Sequence, residues 1–388
     1  MLHLKDLLLS WRNQVMESPT FVRFTKRMIA VSSPLIEGKQ TDSGYITSPI
    51  YRALHPGASG NKINGLGEDK KRRPFRILWT ADDETPFGKL QRLFLITSGM
   101  KGTVKFTDHL HTHGLAQREK KQYTQPPLSP PKMLTKTELS SAVKKVAKEA
   151  GGDIVGITEM KEDWIFDNTE LPSWAYDTKG NLDARLIVIG VEMDYEHFGV
   201  APELPAATEA MKQYNRGTES ALSAGDFLLQ NGYHGWGHAG PRAGRFLLIP
   251  AAAQAGLGNL GKHGSLISKE YGSSLRLGAV LTNADLVLDG KIDFGSEDFC
   301  VNCQICVREC PVDALSSEKQ MVRGVEKYYV NFDKCLPYFL DNNGCGICAS
   351  KCPYSRPEVR PKLLNKHEKK LNKLQNKNAK AAQPIKLD

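Results

Sequence analysis

All eight cysteines of this 388-residue chain fall between positions 300 and 352: Cys300, Cys303, Cys306, Cys310, Cys335, Cys345, Cys348 and Cys352. A disulfide framework spreads its cysteines over the fold that it staples, so thiols crowded into one seventh of a chain read as ligands. Ligand thiolates must stay reduced and unpaired, which sets the expected compartment as the cytoplasm. The opening MLHLKDLLLSWRNQ has no long apolar core, twin arginine or small-residue cleavage pattern, and no apolar run reaches the roughly 18 residues of a spanning helix. With 40% hydrophobic side chains the chain can bury one large core or two moderate ones.

The spacing is more specific than the count. Cys300-x2-Cys303-x2-Cys306-x3-Cys310-Pro311 is the run of bacterial ferredoxins, in which three close thiolates wrap one cubane while the fourth reaches a second cluster. Cys345-x2-Cys348-x3-Cys352-Pro353 repeats part of it, and Cys335 completes the eight thiolates that two [4Fe-4S] clusters need. Crossed pairing assigns Cys300, Cys303, Cys306 and Cys352 to one cluster and Cys310, Cys335, Cys345 and Cys348 to the other. Two tetrahedral zinc sites would also consume eight cysteines, but the proline after each x3 spacing and the crossed repeat favour iron and sulfide. Such clusters pass single electrons, so a second redox centre is expected, here or in a partner.

Upstream, the pattern is that of an α/β (α+β) body. Residues 1–122 carry no sharp motif; the nearest, DHLHTHG at 108–114, misses the corrinoid pattern D-x-H-x-x-G because His109 stands at the aspartate position. His109, His111 and His113 alternate as on a strand, and read as ordinary surface histidines because no second ligand set accompanies them. The proline-rich 123–133 is an extended linker. In the 134–290 core, Thr135 and Glu138 have capping-box spacing, Leu139, Val143, Val146 and Ala150 form a helical stripe, and Gly151-Gly152 stops it. Strands are expected over Ile154 to Thr158 and within ARLIVIGVEM (184–193), a continuous apolar run typical of sheets covered on both faces. Pro205 to Gly232 returns to helical periodicity, with Ala207, Met211, Tyr214, Leu222, Gly225 and Leu229 near one face. On that pattern alone, Tyr214 reads as a core side chain with a satisfied hydroxyl. The cysteine module occupies 291–356. In the 357–388 tail, residues 362–388 carry +6 of the chain's +9 charge, from eight lysines against Glu368 and Asp388, and the tail reads as a solvated, flexible end rather than a nucleic-acid arm.

The segment AGLGNLGKHGSLISKEYGSSLRLGAVLTNADL (255–286), joined to the cysteine module, resembles the corrinoid-dependent reductive dehalogenases and, more distantly, the epoxyqueuosine reductases. The likeness runs from about Asp153 to Pro353. It implies a nitroreductase-like α/β domain holding cobalamin base-off without a protein ligand below cobalt, beside a ferredoxin-like module of two [4Fe-4S] clusters. It also implies that Gly256, Leu257, Gly258, Gly261, Lys262, His263 and Ser265 contact the corrinoid; the other reading of the glycines is a buried turn between helix and strand. In the dehalogenases a tyrosine gives the proton, helped by an arginine and by a lysine or asparagine. Tyr214, nineteen residues before Tyr233, matches the tyrosine, and Arg276 matches the arginine. The assisting position falls near Ala243, where this chain departs from the pattern, leaving Arg242 and Arg245 as candidates. Epoxyqueuosine reductases use an aspartate upstream of this turn, whereas residues 227–269 contain neither Asp nor Glu. The expected activity is therefore the two-electron, one-proton removal of halide from an organohalide, with a low-potential ferredoxin, flavodoxin or reductase as donor. The alternatives are an epoxyqueuosine reductase-like tRNA-modification enzyme and a corrinoid-free electron-transfer protein.

Overall fold

The computed structural model describes residues 45, 47, 49–55, 57–77, 87–90, 114–238 and 245–381. The histidine stretch 109–113 and Arg242 lie outside the described residues. The body is a four-stranded sheet with the order β1-β2-β4-β3, where β1 is Ile154–Glu159, β2 Arg185–Glu192, β3 Gly235–His238 and β4 Leu275–Thr282. Every pairing is antiparallel, with Val188 of β2 opposite Ala279 of β4.

Alternation along β2 explains its unbroken apolar run. Leu186 and Val188 pack on one face with Trp236, Leu281 and Ala251–Ala252, the last two from α4 (Leu248–Gln254). Ile187, Ile189 and Val191 pack on the other with Val143 and Ala147 of α2 (Lys136–Glu149) and Ala221, Ala224 and Leu228 of α3 (Leu204–Gln230). Helices thus cover both faces of an antiparallel sheet, so both sets of alternating side chains are buried. α2 begins at the expected capping box: the Glu138 amide donates to Thr135 Oγ1 (3.2 Å) and the Thr135 amide to Glu138 Oε2 (2.8 Å). The 27-residue α3 lies directly on β3 because Gly235 and Gly237 have no side chains. A Cβ at those positions would come within 2.5 Å of the Gly225 oxygen and 2.8 Å of the Ala221 oxygen.

The segment ahead of the proline run joins this body. In α1 (Leu115–Thr124), the buried Gln122 Nε2 donates to the Leu222 carbonyl (2.7 Å), while its Oε1 accepts from the Gly237 amide (2.9 Å). The proline run then follows the end of α3, held by the Leu128 amide on the Leu229 carbonyl (2.8 Å).

The cysteine module contains α5 (Ser296–Asn302), α6 (Ile305–Arg308), a hairpin of Gln320–Val322 and Val325–Lys327, α7 (Phe332–Asp341) and α8 (Ile347–Ser350). The lysine-rich segment, expected to be a solvated end, is helical over Arg360–Ala381 (α9). Leu363 and Leu364 account for this: they pack against the core of Phe294, Cys300, Tyr328, Cys352 and Tyr354. The N-terminal region docks on α7. The Gly60 amide donates to Asp333 Oδ1 (2.6 Å), the Phe332 amide to Asn61 Oδ1 (2.8 Å), and Tyr51, Ile77, Phe87 and Leu90 pack with Leu336.

Candidate active site

Between the sheet body and the cysteine module lies a cavity of about 710 Å³, lined by several parts of the chain. α3 contributes Ala207, Ala210, Met211 and Tyr214, β4 contributes Arg276, and the module contributes Cys310, Cys335, Cys345 and Cys348. The volume lies in the ~300–1,000 Å³ range of pockets that enclose small molecules.

Ala207, Met211 and Tyr214 belong to one helical stripe, spaced i, i+4, i+7. Periodicity alone would bury it in the core, but beyond the sheet edge the stripe turns toward the cavity, and all three side chains are half-buried. The Tyr214 hydroxyl makes no hydrogen bond among the described residues. Its ring instead stacks with Arg276, whose guanidinium carbon lies 5.3 Å from the Tyr214 centroid and 5.9 Å from that of Phe198. Arg276 Nη1 donates to the Leu275 carbonyl (3.0 Å), whereas its Nε is buried without a partner among the described residues. An unpaired donor in a cavity wall is costly unless a ligand accepts from it. The two residues matched from sequence are thus brought together, with donor capacity facing the cavity.

Arg245 is placed elsewhere. It is exposed and stacks over Trp236 at 5.4 Å, outside the cavity lining. Besides Arg276, the cavity wall carries Arg76 and Arg323, both of which sequence reasoning missed. Burial, then the charge of Arg245 nearby, brings the Arg76 guanidinium down to about 10. Arg76 lies within RRPFRI, in a region without a motif; its segment is held by Arg73 on Glu162 and on the Thr169 carbonyl (3.2 Å) and by the Asp167 amide donating to the Pro74 carbonyl (3.0 Å).

The glycine turn packs mainly against protein. A Cβ on Gly256 would stand 2.6 Å from the Gly290 oxygen, and one on Gly258 2.1 Å from the Ile267 oxygen. Gly256 adopts φ +76°, open to glycine at no steric cost. At Gly261 the obstacle is the His263 ring, 2.6 Å away. Gly256, Leu257, Gly258, Gly261, Lys262 and Ser265 are not on the cavity wall, whereas His263 is, together with Gly264. Of the loop residues expected to contact the corrinoid, His263 is on this cavity wall, and close packing fills the space beside the glycines. His263 is held as one tautomer, Nδ1 accepting from the Ser265 amide (3.1 Å) and Nε2 donating to Ser273 Oγ (3.0 Å), because Ser273 Oγ itself donates to the Leu266 carbonyl (2.7 Å). Burial lowers its pKa to about 4, so it is neutral at neutral pH.

The cysteines fall into two groups by mutual proximity. Burial pushes up the thiols of Cys300, Cys306 and Cys352 in one and of Cys335, Cys345 and Cys348 in the other. Beyond burial, Cys352 feels Cys300 and Cys306, and Cys306 feels Cys300 and Cys303, whereas Cys335 feels Cys345 and Cys310. Cys348 feels Cys335, Cys345, Cys306 and Cys310, which places it beside the second group and nearest the first. Backbone amides already point at the sulfurs: Ala314 N–H donates to Cys310 Sγ (3.3 Å), the Ile347 and Gly346 amides reach Cys345, and those of Tyr354 and Ser355 reach Cys352. Asn343, Gly344, Cys345 and Gly346 all have positive φ, a concave turn of the kind that gathers amides around an anion. Oriented amides around anionic sulfur suit an iron–sulfur cluster. No three His, Cys, Asp or Glu side chains among the described residues converge on a point suited to one ion.

Residues 299–356 match the family model of the 4Fe-4S dicluster domain. Over 351 residues, 79% of this chain and 66% of the relative, the chain is 27% identical to the tetrachloroethene reductive dehalogenase of Sulfurospirillum multivorans. It resembles the reductive dehalogenases. The enzyme of the same name from Dehalobacter restrictus is 26% identical over 279 residues, 59% of this chain and 50% of the relative. Epoxyqueuosine reductase of Lactococcus garvieae is 33% identical over 141 residues, 30% of this chain and 36% of that protein. In fold, the chain is similar to the catabolic reductive dehalogenase NpRdhA, with a TM-score of 0.62 at 22% identity over 77% of this chain and 44% of that one. The chain thus spans between half and two thirds of the length of the dehalogenases that it matches in sequence.

Proposed function

We propose that this protein is a cobalamin- and iron-sulfur-dependent reductive dehalogenase-like oxidoreductase, acting on a carbon–halogen bond with the balance R–X + 2 e⁻ + H⁺ → R–H + X⁻. One observation carries the reading: a single cavity joins Tyr214 and Arg276 to all four thiols of one cysteine group. Electrons and a proton can meet there.

The α+β body, taken as nitroreductase-like, and the module enclose the reaction space, with 134–290 and 291–356 as the working divisions. Cys310, Cys335, Cys345 and Cys348 hold one [4Fe-4S] cluster on the cavity wall; Cys300, Cys303, Cys306 and Cys352 hold the other, where half-buried Cys303 offers an entry for electrons from a low-potential ferredoxin, flavodoxin or reductase. Base-off cobalamin in the cavity would supply a two-electron reductant, set against His263, Gly264 and the Asn343–Ala349 turn. The Tyr214 hydroxyl gives its proton to the carbon that loses halide, and the Arg276 guanidinium on its ring stabilises the tyrosinate left behind. Phe166, Phe198, Leu247 and Ile249 keep water away. Arg76 adds positive charge where halide departs.

The epoxyqueuosine reductase likeness covers under a third of the chain, and no carboxylate in 227–269 can serve as that family's acid. A corrinoid-free electron relay would leave the Tyr214–Arg276 pair in the cavity without a task. Anaerobic reconstitution with cobalamin, iron and sulfide tests the reading: corrinoid retained on the protein and halide released from halogenated aliphatics or phenols are expected. A protein that takes up its iron but never retains corrinoid is the relay instead.

A further inference from the structure

Lys262 is 1% exposed, yet it forms no ion pair among the described residues. Its Nζ donates one hydrogen bond, to the Val301 carbonyl (3.3 Å), and lies 5.1 Å from the centre of the Tyr328 ring. The opposite cation on that ring, Lys319 at 5.7 Å, is paired with Glu297 and so offers Lys262 no compensation. An ammonium withdrawn from water costs several kcal/mol unless an anion accompanies it, so a buried lysine with only a carbonyl and a ring implies a further negative group.

The neighbouring group is the first cysteine set. Burial raises the Cys300 thiol, and the Lys262 backbone amide and ammonium both act against that rise; the ammonium acts on Cys306 in the same sense. Thiolate ligation makes a cubane anionic, and reduction adds one more negative charge. A fixed cation beside it therefore favours the reduced form. We propose that Lys262 is the built-in counter-charge of the cluster held by Cys300, Cys303, Cys306 and Cys352, raising that cluster's reduction potential so that an external donor can fill it. This rests on the iron–sulfur reading and moves Lys262 from the corrinoid to the cluster.

The test is a redox titration of the reconstituted protein followed by electron paramagnetic resonance, with signals assigned through Cys345→Ser, which removes the second cluster. In Lys262→Met, the reduced-to-oxidised ratio of the first cluster at fixed potential should fall about tenfold, or 59 mV for a one-electron couple. Lys262→Arg should titrate like the natural protein, and the second cluster should stay in place in both variants. An unmoved first-cluster midpoint in Lys262→Met, or an equal shift of both clusters, overturns the proposal. If Lys262→Met takes up no first cluster, Lys262→Gln and Lys262→Arg decide: loss in Gln with retention in Arg supports a charge role, and loss in both overturns it. Should the natural protein contain no iron and sulfide, the underlying reading fails instead.

Discussion

The two cysteine groups use the same ligand type in different surroundings. The first is packed into Phe294, Tyr328 and Tyr354, with Phe299 edge-on to Tyr354 at 5.4 Å and buried Lys262 alongside. The second faces a cavity, and its turn at 343–346 runs through four left-handed residues, including Cys345 at φ +44°. L side chains adopt that conformation at a cost of roughly 1–2 kcal/mol, which the surrounding packing must offset. Ligation accounts for neither difference: one environment suits electron storage in a protein interior, the other electron delivery into an open space. The contrast reaches down to neighbours in sequence, since Lys262 points to the first group while His263 lines the cavity.

The largest expected effect breaks the contrast outright. Cys345→Ser should lose about four of the eight irons and sulfides expected for two cubanes, abolish halide release and keep the first cluster's resonance; iron analysis and spectroscopy check it. Retained halide release would show that the cavity-side cluster is not the electron source. Tyr214→Phe should lower turnover ~10²–10⁴-fold, the usual contribution of a positioned acid, while iron content and corrinoid uptake stay unchanged. Arg276→Met removes a desolvated cation–ring contact of about 2 kcal/mol and should lower turnover about 30-fold; a loss as large as that of Tyr214→Phe would mean that the arginine itself engages the substrate.

The smallest effect is on stability, and it concerns His263. Burial holds its folded pKa at about 4, below the unfolded value of 6.5. Its contribution is intact above pH 6.5 and is lost as pH falls from 6.5 toward 4, where the unfolded chain gains a proton that the folded one refuses. The loss is on the order of 3 kcal/mol at most. His263→Gln should flatten this part of a Tm-against-pH curve; an unaltered slope would assign the acid sensitivity to other groups.

Much of this was legible because it depends on local spacing. Cysteine intervals pointed to the iron–sulfur module, the capping box at Thr135 and Glu138 started its helix where expected, and the apolar run 186–191 announced a sheet covered on both faces. Resemblance paired Tyr214 with Arg276 before any distance was available. What escaped were consequences of long-range packing. The glycines after Ala255 looked open to a ligand, but residues remote in sequence, Gly290 and Ile267, occupy the space beside them. Arg76 carries no motif and meets the cavity because its neighbours Arg73 and Pro74 bond to Glu162, Thr169 and Asp167, remote in sequence. Leu363 and Leu364 look incidental among lysines until the cluster core appears beneath them.

By itself, then, the sequence determined the ligands and the strand and helix periods, because each follows from bond geometry over a few residues. Only the tertiary structure decided which cysteine group meets the cavity, and that Lys262 turns to the Val301 carbonyl while His263, next to it in the chain, lines the cavity. Burial and electric field depend on atoms brought close by folding, and distance along the chain does not encode them.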